Sequence, residues 1–184
     1  MPKLEPASIY LTLFASETGP QVYRWAIFVS NSGGGKGKLF RAEGNPSPRG
    51  SSSPALVFDS KECDLLGDPR LFLLLKLGGL GDRSNVDELD KILEKVAIPH
   101  PDDEYFQFFD GRTWVIKAIM RLSAYGIIKS RRLEIMEDEI QDIAAQAFDV
   151  HEQGRGWTLS KFECKWYIYF YSCSIDHLSP TERY

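Results

Sequence analysis

At 184 residues, with 43% apolar and 26% charged side chains, the chain has the size and balance of one globular domain (1–184) with a core of its own. A net charge of −4 offers no attraction for a phosphate backbone, so nucleic acid is not expected as a partner. Three cysteines (Cys63, Cys164, Cys173) are too few for a disulfide framework or a zinc site, and Met1 to Pro6 carries no apolar signal segment.

Ser8 to Ser16 alternates two apolar faces, Ile9, Leu11 and Leu13 against Tyr10, Thr12 and Phe14, as a strand covered on both sides does. Glu17 to Pro20 reads as a turn. Gln21 to Ser30 is a second strand, with Val22, Arg24, Ala26 and Phe28 on one face and Tyr23, Trp25, Ile27 and Val29 on the other. The glycine-rich Asn31–Lys38 then leads into a hairpin return over Leu39 to Glu43. Gly44 to Pro54 holds three prolines, two glycines and four serines, and is expected to be a mobile loop. Ala55–Asp59 and the leucine-rich Arg70–Leu77 read as further strands.

Helices follow. Ser84-Asn85-Val86-Asp87 fits a capping box, ahead of a buried stripe of Val86, Leu89, Ile92, Leu93 and Val96. Asp110 opens a helix through Trp114, Val115, Ala118, Ile119 and Leu122, apolar on most sides and therefore central, with Gly126 as its left-handed terminator. A third, amphipathic helix is expected from Ser130 to Phe148, then a turn at Gly154–Gly156 and a closing strand over Phe162–Tyr171. Strands, then helices, then a strand predict an α+β domain: a mostly antiparallel sheet packed on a central helix and two more. The longest apolar run, Leu71 to Leu80, contains Lys76 and is too short to cross a bilayer. A soluble, cytoplasmic protein without a membrane partner is expected; the oligomeric state is left open.

Motifs for nucleotides, metalloprotease zinc and serine hydrolysis are absent. Gly33 to Lys38 lacks the spacing of a phosphate loop, and the three histidines are scattered, so neither metal nor cofactor is expected. Attention falls instead on the helix start Asp110-Gly111-Arg112-Thr113-Trp114, where backbone N–H groups lack partners and the dipole is positive. Asp110 is either a helix cap or a carboxylate at a pocket mouth. Arg112 is unfavourable beside the dipole and wants a carboxylate, Asp110 or Glu43, or a ligand. Arg24 interrupts an apolar strand, and a buried guanidinium must be paired. One ion-pair network or one site would account for both arginines.

Tyr23 to Val29 and its return strand resemble the His-Trp-containing strand of permuted papain-like amidases. Gly111-Arg112-Thr113-Trp114-Val115 and the apolar helix ending Tyr125-Gly126-Ile127-Ile128 are similar to their nucleophile helix. The helix start is closer still to uncharacterised fungal domains that begin Gly-Cys-Arg-x-Trp. On that pattern the cysteine position falls on Gly111 and the histidine position on Arg24, so neither nucleophile nor neutral base remains. The resemblance implies a papain-like scaffold without covalent machinery, acting in fungal specialised metabolism. An isomerase or cyclase, such as a Diels–Alder-type pericyclase, is the leading expectation, with an apolar small molecule as substrate. Arg24, Asp110, Arg112 and Thr113 would orient or polarise a carbonyl or carboxylate. Tyr23, Trp25, Glu43, Gly111 and Trp114 would line the substrate site. A catalytically dead binding module is the alternative. A cysteine hydrolase pairing Cys63 or Cys164 with His100 or His151 ranks third.

Overall fold

A computed structural model describes residues 3–16, 22–45, 55–81, 85–129, 133–154, 156, 158–161 and 167–169. The architecture is α+β. Five strands come first: β1 (Ser8–Ala15), β2 (Tyr23–Ser30), β3 (Lys36–Asn45), β4 (Ala55–Asp64) and β5 (Leu71–Gly79). Helices α1 (Val86–Glu94), α2 (Gly111–Ala124) and α3 (Leu133–Glu152) follow, then short strands β6 (Thr158–Lys161) and β7 (Tyr167–Tyr169). The described strands form one sheet in the order β4-β3-β2-β1-β5-β6-β7, antiparallel throughout except for the β5–β6 pair.

The two apolar faces of β1 explain why both sides of the sheet are covered. Ile9, Leu11 and Leu13 join Trp25, Ile27 and Phe40 under the helices, in the larger core. Tyr10 and Phe14 join Ala26, Phe28, Leu39, Leu65, Leu71 and Leu74 in a second cluster on the far side, closed by Leu4. α2 sits at the centre of the helical layer, with Trp114, Val115, Ala118, Ile119 and Leu122 fully buried. Its end is a Schellman closure: Gly126 has φ +71°, its N–H bonds to Ser123, and the Ile127 N–H reaches back to Leu122. In α3, Ile140, Ile143, Ala144 and Ala147 face inward as their spacing predicts.

Several boundaries differ from the sequence reading or lie outside the described residues. α1 is capped by Asn85, whose side chain accepts the Glu88 N–H at 2.8 Å, so the cap lies one residue beyond the expected box. β3 and β4 are each longer than expected. Gly44 and Asn45 pair with Leu56 and Ala55, so they belong to a strand, and 46–54 lie outside the described residues. The start of the third helix at 130–132 also lies outside them. In place of a closing strand over 162–171 there are β6 and β7, with 162–166 and 170–171 outside the described residues. β6 escapes a periodicity search because it is four residues long and polar at three of them, held by its parallel ladder to β5.

Candidate functional site

The sheet opens at one end. β2 pairs with β1 along its whole length, from Ser30 to Tyr23, and β3 pairs with β4 out to Asn45. The ladder between β2 and β3 spans only Ile27↔Phe40 to Ser30↔Gly37. Beyond Ile27 the two strands part, and the first turn of α2 comes up against the opening. A Cβ on Gly111 would stand 3.3 Å from the carbonyl oxygen of Ala42 in β3. A residue without a side chain suits this approach of helix to strand backbone. The parting creates a cleft of about 630 Å³, within the size range of small-molecule sites.

Seven of the nine residues singled out from sequence line this cleft: Tyr23, Arg24, Trp25, Glu43, Asp110, Gly111 and Arg112. Thr113 and Trp114 do not line it. Trp114 is fully buried against Phe58, with no partner for its indole N–H among the described residues, so it is a core residue of α2 rather than a cleft wall. Thr113 is turned to Asp110, whose Oδ1 accepts its backbone N–H at 2.7 Å and its hydroxyl at 2.9 Å. The cap reading of Asp110 is thereby realised in the structure. Tyr23 and Trp25 also lean away: the Tyr23 ring packs on Phe72 and Phe148, and Trp25 is 5% exposed within the helix-side core. Burial pushes the Tyr23 phenol up, and nearby Asp149 pushes it further.

Arg24 corrects an expectation. It is not buried: its side chain is 49% exposed, because this end of β2 keeps β1 on one side but has lost β3 on the other. The alternation of β2 places it with Phe14 and Ala26, on the sheet face away from the body of α2. Glu43, expected as a carboxylate partner for Arg112, stands 3.9 Å from Arg24 Nη1. Glu43 also pairs with Arg41, which bonds Asp59 at 3.0 Å as well. On the same rim Arg70 grips Asp68 through two nitrogens, and this bonding holds the Asp68 carboxyl below its ordinary value.

Sequence reasoning missed the far-face floor of the cleft, Phe14, Leu39 and Leu65, and the rim residues Arg41 and Arg70; Cys63, considered only as a hydrolase thiol, also lies on the rim. One signal was available. Leu39-Phe40-Arg41-Ala42-Glu43 alternates, and its charged members share a face with Arg24 once β2 and β3 are paired. Cys63 is partly buried; burial raises its thiol pKa, with neighbouring Lys61 the largest opposing influence. Among the described residues no histidine lines the cleft: His100 is exposed beside Asp102, and His151 packs near Phe72. No group of three or more potential metal ligands occurs among the described residues. No described helix is long and apolar enough to cross a membrane.

A family model matches residues 9–129, from β1 to just past α2, and so takes in the whole cleft. The chain belongs to DUF6540, a family of unknown function. The DUF6540 match stops short of α3, β6 and β7. No curated protein and no solved structure matches the chain.

Proposed function

We propose that the cleft between β2, β3 and the start of α2 binds an apolar small molecule and speeds its isomerisation or cyclisation without a covalent intermediate. One observation carries the reading: the two positions where the permuted papain-like pattern has histidine and cysteine, Arg24 and Gly111, open onto one cleft and bear neither base nor nucleophile. Cys63, the thiol in that cleft, is biased toward its protonated form and has no imidazole beside it among the described residues. Holding a flexible substrate in its reactive shape needs no nucleophile, and proximity alone contributes roughly 7–11 kcal/mol in the best intramolecular systems. In this reading the positive end of α2 would polarise a carbonyl, with Arg24 and Arg112 orienting the substrate. Asp110 and Thr113 act through their mutual hydrogen bonds by fixing that helix start. The setting in fungal specialised metabolism and the papain-like ancestry are part of this proposal and rest on the sequence resemblance.

A second reading, a binding module without turnover, is favoured by the commitment of Asp110 to its cap. The test is mass-resolved chromatography of a metabolite extract from a strain lacking the gene, with and without the purified protein. A new peak at unchanged mass supports isomerisation. A peak split in two, or heavier by one water, sinks it in favour of hydrolysis, and an unaltered extract favours the binding module.

A further inference from the structure

The cations around the cleft differ in how far their charge is already met. Arg41 is held between Asp59 and Glu43, and Arg70 by both oxygens of Asp68. Arg24 stands apart from these. Among the described residues the carboxylate within ion-pair range of it is Glu43, at 3.9 Å, which is beyond hydrogen-bond distance. Glu43 meanwhile meets Arg41 through its other oxygen. The Arg24 side chain is half-exposed and lines the cleft, and besides Arg41 and Glu43 its neighbours on that sheet face are apolar: Phe14 opposite on β1, Ala26 two residues on, and beyond them Leu39 and Leu65.

A guanidinium is a planar fork of donors that cannot be neutralised near physiological pH, and its best-matched partner is an equally planar carboxylate. We infer that the ligand of this cleft is a monocarboxylate with an apolar body, its carboxylate bonded to Arg24 and its body lying over Phe14, Leu39 and Leu65. The inference rests on the cleft being the ligand site. A neutral carbonyl would leave the Arg24 charge unmatched. A phosphate dianion would bring its second negative charge toward Glu43, which stands 3.9 Å from Arg24.

The test uses pyrenebutyrate and its uncharged methyl ester, titrated by fluorescence against the full chain. The acid is expected to bind about tenfold more tightly than the ester, the low end for a charge-assisted hydrogen bond at a half-exposed site. Arg24→Gln should bring the acid down to the ester's affinity and leave the ester unchanged. Glu43→Gln, which removes the competing carboxylate while Arg41 keeps Asp59, should tighten the acid alone. Octanoate should displace the probe, and inorganic phosphate at the same concentration should not. Equal binding of acid and ester overturns the inference, as does equal weakening of both by Arg24→Gln or displacement by phosphate. Failure of both probes to bind overturns the cleft reading and this inference with it, whereas ester binding without an advantage for the acid overturns the inference alone.

Discussion

Replacing Asp110 separates a carboxylate that builds the helix start from one that takes part in chemistry. Its extended backbone (φ −131°, ψ −178°) and its two hydrogen bonds from Thr113 make it the N-cap of α2. Loss of an N-cap side chain costs about 1 kcal/mol, with a range of roughly 0.5–2. A negative charge at the positive end of the helix adds about 0.3–1 kcal/mol at low ionic strength. Asp110→Ala should therefore destabilise the protein by about 1–2 kcal/mol, which for a chain of this length lowers Tm by roughly 3–6 °C. Asp110→Asn keeps an acceptor on the Thr113 N–H and forfeits only the charge, so its cost should stay below about 1 kcal/mol. Urea unfolding followed by circular dichroism, with the slope on denaturant unchanged, reads both values. In the activity assay Asp110→Asn should retain turnover, because the geometry of the helix start survives. Equal damage from Asn and Ala, or an Ala variant as stable as the parent, would refute the cap. Full stability with turnover abolished in the Asn variant would return Asp110 to the chemistry.

Trp114→Ala should cost about 3–5 kcal/mol in the same unfolding assay, because the ring is fully buried and its removal leaves a cavity at the centre of the helical layer. Gly37→Ala is expected to destabilise by at least about 1–3 kcal/mol, since the new methyl would stand 2.0 Å from the Val29 carbonyl oxygen and 2.6 Å from the Phe28 ring; normal thermal stability in that variant would contradict the close β2–β3 approach. Iodoacetamide should label Cys63 more slowly in the folded protein than in urea at pH about 8, with the folded rate climbing steeply only above the ordinary thiol range, because burial favours the protonated form. Asp68, held down by Arg70, stabilises the fold above the ordinary aspartate pKa, and that contribution is lost as pH falls through its lower folded value. Arg70→Gln should therefore be less stable than the parent near neutral pH, and the gap should narrow below pH about 4 as Asp68 protonates; a gap independent of pH would show that the pair is not its cause.

The elements legible in the sequence were those whose burial repeats at a fixed period. β1 alternates between two cores, and α2 shows its buried stripe, its Asp110 cap and its Gly126 stop without any need for context. Arg24 was misplaced for a different reason. Its strand neighbours are buried, and by pattern it should be too, but the β2–β3 ladder ends at Ile27 and leaves that end of the strand open. Where a ladder stops depends on how two strands twist apart and on the arrival of Gly111 at the Ala42 carbonyl, neither of which is written in local periodicity. The same opening explains why the site was half read. The residues at the helix start and on β2 stood out as oddities, whereas Phe14, Leu39 and Leu65 look like any strand or turn residue until the far face is assembled. Trp114 shows the converse: a conspicuous residue in a conspicuous motif whose role is to fill the core.

The central claim is that the cleft works on a small molecule without covalent chemistry. Its most direct test is the extract incubation run in water labelled with heavy oxygen, comparing the parent protein with Arg24→Gln by mass-resolved chromatography. The account predicts a product of the same mass as its precursor, free of label, and reduced or missing with the variant. A product carrying the label from water would contradict it and restore a hydrolase.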